Sequence, residues 1–189
     1  GPVASEVYVA LDPELENFES GLSIVVLDSF GHDIDAEVYP RGEENPWPQR
    51  PVSAVFLDTD EVTGRARITA QPDFAGRAGM RVRGNTAQMD FPKKSYKFEV
   101  WDEEDEDRDV SLLEFPAESD WIVHAPYTDK TLMRNFITYS WSRKMGNYVT
   151  RTRYLEVFAN MDGDDVVSYE DYIGVYVLME KVKRHKDRI

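Results

Sequence analysis

The sequence predicts an α+β fold, a mostly antiparallel sheet covered by one main helix over residues 129–145. Three observations carry that expectation. Leu132, Phe136 and Ser140 fall four residues apart, and Met133, Ile137, Trp141 and Met145 form the adjoining row, the only sustained helical period in the chain. Nearly everything else reads as short runs of β-branched and aromatic residues bounded by turn residues. The early runs follow one another through turns with no helix between them, which favours antiparallel neighbours over parallel ones.

The helix is well marked. Thr128 or Asp129 is placed to cap its first turn, Arg143 and Lys144 suit its negative end, and Gly146 supplies a terminator. An apolar stripe that wide is expected to lie buried on the sheet.

Residues 1–20 read as an acidic arm around Pro13, with Tyr8, Leu11, Leu15 and Phe18 scattered along it. Residues 21–78 read as a strand-rich lead-in. Leu22–Asp28 is a buried strand, residues 40–51 are an exposed irregular loop with four prolines, and Val52–Asp58 and Gly64–Ala70 are further strands. From residue 79 a third region begins. Gly79–Gly84, where Met80 and Val82 alternate with Arg81 and Arg83, pairs as a hairpin with Ser95–Trp101, where Lys97 opposes Tyr96 and Phe98. Residues 102–109 hold seven acids and one arginine and read as a mobile loop held open by self-repulsion. Trp121–Ala125 leads towards the helix, Arg153–Ala159 and Tyr172–Met179 are the last strands, and a basic tail follows Glu180.

Composition narrows the function. A chain of 189 residues, 41% hydrophobic, can fill one sizeable core. With 36 acids against 22 bases the formal charge is −14, which argues against nucleic acid as a partner. There are no cysteines, so disulfides, thiolate zinc sites and a cysteine nucleophile are excluded. No run approaches the roughly 20 apolar residues that span a bilayer. Gly1-Pro2 has the form of a protease scar, so the lack of a leader says nothing about compartment.

Two constellations could carry chemistry. At the hairpin, Gly84 permits close backbone approach, Asn85 and Thr86 add donors, and Lys93, Lys94 and Lys97 supply charge for a triphosphate. The same pattern also suits an ordinary hairpin with a basic tip. The second is Asn160 to Asp171, where Asn160, Asp162, Asp164, Ser168 and Asp171 match the oxygen positions of a calcium loop. Asp165 stands where that loop needs glycine, and the flanks read as strands, so a polar inter-strand turn competes with the calcium site. The three histidines, His32, His124 and His185, have no ligand spacing.

Taken together, Arg83-Gly84-Asn85, Pro92-Lys93-Lys94-Ser95-Tyr96-Lys97, Asp120-Trp121, Asp129-Lys130-Thr131-Leu132-Met133-Arg134-Asn135, Met145-Gly146, Glu156-Val157-Phe158, Gly174-Val175-Tyr176 and Glu180-Lys181 with Lys183-Arg184 resemble the CotH (spore-coat protein H) kinase family. The blocks fall in family order over residues 79–188. The resemblance implies an atypical protein kinase that binds ATP with magnesium and phosphorylates serine-rich exported proteins, with other members acting as surface adhesins. Residues 79–189 would then be a kinase-like N-terminal lobe. Carried over by position, Lys97 or Lys94 would be the catalytic phosphate-pairing lysine. Arg83, Gly84, Asn85, Lys93, Arg134 and Glu180 would belong to the nucleotide site. The family's catalytic acids lie beyond Glu180-Lys181, so this chain alone is expected to be catalytically silent, secreted or surface-located, and prone to self-association through an uncovered face. The rival expectation is a non-catalytic surface module that binds calcium through Asn160, Asp162, Asp164 and Asp171.

Overall fold

The computed structural model describes residues 7–183. Its strands are β1 (Glu19–Ser20), β2 (Ser23–Asp28), β3 (Arg50–Leu57), β4 (Ala66–Arg67), β5 (Phe74–Arg83), β6 (Ser95–Val100), β7 (Asp120–His124), β8 (Thr152–Asn160) and β9 (Tyr172–Glu180). Among the described residues two α-helices, α1 (Ala87–Asp90) and α2 (Arg134–Lys144), and three short 3-10 turns accompany them. Seven of the strands close into a barrel in the order β2–β3–β5–β6–β7–β9–β8, while β1 and β4 pair as a separate ribbon.

Every neighbouring pair in the barrel is antiparallel except β2 with β8, which is parallel from Ser23↔Leu155 to Asp28↔Asn160. Parity requires such a seam, because an odd number of staves cannot alternate direction all the way round. Alternation along each stave then fills the interior, with Leu27, Phe56, Met80, Phe98, Trp121, Val157 and Leu178 in one core. Leu112, Leu113 and Phe115 close one end, with Phe115 stacked on Trp121 at 5.6 Å. At the other end the Tyr96 hydroxyl donates to Asp35 at 2.6 Å beneath the buried Ile34.

The helix-covered sheet expected from the sequence is overturned by this closure. A sheet that curls shut buries its own inner face and needs no helix on it. Residues of α2 are none of them buried, and Trp141 and Met145 in the expected stripe are 66% and 78% exposed. The helix is held by Phe136 against the Tyr154 ring at 5.2 Å, by the Tyr154 hydroxyl donating to the Leu132 carbonyl at 2.6 Å, and by polar contacts of Asn135 and Arg143. The period located a helix correctly, but of the face it marks Leu132, Phe136, Ile137 and Ser140 are only half-buried and Met133, Trp141 and Met145 are exposed. A lobe resembling that of a protein kinase is corrected with it, since the architecture is a closed barrel.

The helix also starts later than residue 129. Leu132 sits at φ +58°, outside helical geometry, and the Asp129 carboxylate accepts from the Thr131 and Arg134 backbone N–H groups. It ends as expected. Gly146 at φ +86° lets its own N–H reach the Arg143 carbonyl and the Asn147 N–H reach the Ser142 carbonyl, the paired closure of a Schellman turn.

The acidic arm, from residue 7 onward, is docked. Leu15 is fully buried, and Phe18 meets Phe158 edge-on at 5.1 Å in a second core outside the barrel with Ile24, Val26, Ile68 and Val167. The boundary expected at 78/79 falls inside β5, so the lead-in strands β2 and β3 are staves of the same barrel. The acid run 102–109 is a folded turn. Asp102 accepts from the Glu104 and Glu106 N–H groups, and Asp105 pairs with Arg77. The tail residues 184–189, with Arg184 and His185, lie outside the described residues.

Candidate functional site

Outward-facing residues of β5 and β6 build the site. Register places Arg81 opposite Lys97 and Arg83 opposite Ser95, so the two arginines share a face with the lysine. On β7, Ile122 pairs with Lys97 and extends that row. Arg81, Arg83, Lys97 and Lys181 line one groove of about 230 Å³ together with Tyr39, Asn45, Val82 and Ile122.

The far wall comes from Tyr39 and the proline-rich segment 40–51, which the sequence predicts to be an exposed loop. Its polar groups are spent on the hairpin. The Tyr39 hydroxyl donates to the Gly84 carbonyl at 2.8 Å, Asn45 Nδ2 to the Val82 carbonyl at 2.9 Å, and the Gly42 N–H to Asn85 Oδ1 at 2.8 Å. Arg81 donates to the Trp47 carbonyl at 3.0 Å. Gly84 and Asn85 therefore anchor the wall, and Gly84 takes φ +109°, a conformation that suits glycine.

Charge in the groove is uneven. Lys97 Nζ lies 3.0 Å from Glu99 and 3.5 Å from Asp120. Asp120 also holds Lys181 at 2.9 Å and Lys183 at 2.8 Å. Burial alone would raise the Asp120 carboxyl, but Lys183 and Lys181 outweigh it and hold its pKa down at about 2. Burial raises Glu99 against the opposing pull of Lys97. Arg83 forms no ion pair among the described residues, and crowding lowers its pKa through desolvation. A guanidinium stays charged in any protein setting, so Arg83 is a cation left available to an anion.

Other residues assigned by resemblance lie elsewhere. Lys93 donates to the Val175 carbonyl at 2.7 Å and sits 4.2 Å from the Tyr176 ring centroid, while Lys94 donates to the Phe91 carbonyl at 2.6 Å. Lys93 fastens the hairpin tip to β9, while Lys94 closes the turn on itself. Arg134 is mostly exposed and faces Asp129 at 3.6 Å. Glu180 is buried, accepting from the Arg151 N–H at 2.8 Å and pairing with its guanidinium at 2.6 Å. Of the residues assigned to catalysis or nucleotide, Arg83 and Lys97 are the two that line the groove.

In the loop after β8, the oxygens serve the loop itself. Asn160 Nδ2 donates to the Asp164 carbonyl at 2.8 Å, the Asp164 N–H donates to Asp162 at 3.2 Å, and Asp171 accepts from the Ser168 N–H at 2.7 Å in a capping box. Among the described residues no group of three or more histidines and carboxylates is arranged to hold a metal ion.

Sequence reasoning passed over Arg81, Lys181, Asp120, Tyr39 and Asn45 as site residues. Arg81 was legible, since it lies two residues before Arg83 on the same strand face. Tyr39 and Asn45 carry no local signal, because their place depends on where a loop folds back.

The fold and groove define a closed β-barrel with an external cationic cleft. A family model described as CotH kinase protein matches residues 80–188, from the second half of β5 through β9, and the chain belongs to the CotH kinase family. No curated protein matches the chain. No helix among the described residues is long and apolar enough to cross a membrane.

Proposed function

We propose that this chain provides the phosphate-holding surface of a CotH-type protein kinase, taking the polyphosphate of ATP with magnesium in the course of phosphorylating serine-rich exported proteins. The observation that supports this reading is the convergence of Arg81, Arg83, Lys97 and Lys181 in one groove, although they come from three separate stretches of the family match. Phosphoryl transfer depends mainly on positioning and charge neutralisation, and cations on a rigid sheet supply both.

Arg83 offers a planar fork to two phosphate oxygens, and Lys97 offers a point charge beside it. Asp120 keeps Lys181 and Lys183 if Lys97 turns towards an anion, so the carboxylate is not stranded. At about 230 Å³ the groove is smaller than the roughly 300–1,000 Å³ that encloses a drug-sized ligand, which suits a phosphate chain with its base outside. The residues fit polyphosphate. They do not fit its metal, because Glu99 and Asp120 are lysine-bound and among the described residues no group of three or more histidines and carboxylates is gathered to hold one.

Calorimetric titration with ATP, with and without magnesium, and with inorganic tripolyphosphate tests the reading. Arg83→Ala and Lys97→Ala are each expected to weaken binding about tenfold, roughly 1.4 kcal/mol. Absence of binding at millimolar ligand, or binding indifferent to both substitutions, overturns it.

A further inference from the structure

One titratable group beside the groove is unused by that reading. Arg83, Ser95 and His124 form a row across β5, β6 and β7: Arg83 is the register partner of Ser95, and Ser95 Oγ lies 3.5 Å from His124 Nδ1. On the other side of the ring, His124 Nε2 lies 3.4 Å from the side-chain amide of Asn135 in the first turn of α2. Both ring nitrogens thus face a polar side chain, and His124 joins the arginine end of the groove to the loosely held helix.

We propose that His124 is a positioning residue behind this groove, joined to Arg83 through Ser95 and to α2 through Asn135, that takes up a proton as a polyphosphate settles on Arg83 without itself touching the anion. The proposal rests on the groove's taking polyphosphate. Its physical basis is the company the imidazole keeps. The groups facing it are Ser95 from β6, Asn135 from α2 and Arg83 from β5, with Val177 its register partner on β9. Burial first and Arg83 second lower its pKa from the ordinary histidine value, so the ring is neutral near pH 7. An anion on Arg83 cancels that repulsion and supplies an attraction of opposite sign.

The hydrogen bonds can accommodate the added proton. Ser95 Oγ already accepts the Ala125 N–H at 2.9 Å and has a second lone pair for Nδ1–H. Asn135 must present its carbonyl oxygen to Nε2–H in place of its amide nitrogen, which needs only a turn of the side-chain amide. Anion binding is thereby felt at the start of α2. This adds a residue that the basic hairpin motif does not contain, drawn from a different strand.

The test follows the histidine Hε1 resonances by NMR between pH 5 and 8, with and without saturating inorganic tripolyphosphate, assigning His124 by its loss in His124→Gln. In the free protein the His124 resonance should titrate below the ordinary histidine value. With tripolyphosphate its midpoint should rise by about one unit, equivalent to an affinity that strengthens up to about tenfold on acidification. The ligand's own protonation is removed by comparing pH profiles of affinity for wild type and His124→Gln, the variant being the flatter. A histidine that merely ties α2 to the barrel would show no ligand-dependent midpoint. If tripolyphosphate binds in an Arg83-dependent manner while the His124 midpoint stays put, this inference fails and the groove reading stands. If tripolyphosphate does not bind, both fail.

Discussion

Lys97 and Asp120 stand 3.5 Å apart across β6 and β7, and the same carboxylate holds Lys181 and Lys183. One acid shared among three lysines on a half-buried surface is tied to the folded state. Because its folded pKa of about 2 lies below the unfolded 3.8, its contribution is present above pH 4 and is lost as pH falls through 2. After allowance for solvent screening that contribution is on the order of 1 kcal/mol. Urea midpoints recorded from pH 5 to pH 2 should fall more steeply for wild type than for Asp120→Asn. Parallel curves would show that Asp120 is not the titrating group.

Two tryptophans separate the observed barrel from the helix-covered sheet. Trp121 is fully buried and stacks on Phe115, so Trp121→Ala should cost about 3–5 kcal/mol. Trp141 on α2 is 66% exposed, so Trp141→Ala should stay within about 0.5 kcal/mol. Chemical denaturation of the two variants decides the matter. A large cost at Trp141 would restore the helix as a core element.

A side chain at position 79 would strike the Trp101 indole, which lies directly over the glycine on β5. The obstacle is a rigid ring, so Gly79→Ala should destabilise by about 1–3 kcal/mol. A thermal melt unchanged from wild type would mean that Trp101 swings aside at no cost.

The groove wall hangs on the Tyr39 hydroxyl and the Gln88 amide, whose oxygen accepts the Tyr39 N–H at 3.1 Å. Removing the hydroxyl in Tyr39→Phe should leave the barrel intact and loosen residues 38–49. Limited trypsin digestion should then cut faster at Arg41, and tripolyphosphate should bind several-fold more weakly. Unaltered cleavage would show that the remaining bonds, at Gly42 and Asn45, are enough to hold the wall.

How much of this was legible from the sequence depends on the range of the forces involved. The strands expected at Leu22–Asp28, Ser95–Trp101 and Tyr172–Met179 lie within a residue or two of the observed ones, because continuous apolar runs and, for Ser95–Trp101, period-two alternation are written in adjacent residues. The same alternation puts Arg81, Arg83 and Lys97 on one face. It could not place Lys93 and Lys94, which sit at the turn, where no period applies. Nor could it show that Asp162, Asp164 and Asp171 would spend their oxygens on neighbouring N–H groups, since a calcium loop and a self-capped turn use the same residues.

By itself, then, the sequence located most of the staves, the helix with its Gly146 stop and the cationic hairpin, though β5 starts five residues earlier than expected and the run Gly64–Ala70 supplies only β4, outside the barrel. Tertiary structure alone decided that β2 would meet β8, a join across which Ser29 Oγ donates to the Asn160 carbonyl over a separation of 131 residues. With the barrel closed, Met133, Trp141 and Met145 of the α2 stripe lie exposed, the proline-rich loop folds onto the hairpin, and Lys181 lines the same groove as Lys97. Local pattern reports which side of a strand a residue occupies. Which distant strand, loop or charge it then meets follows from the collective burial that closes the barrel.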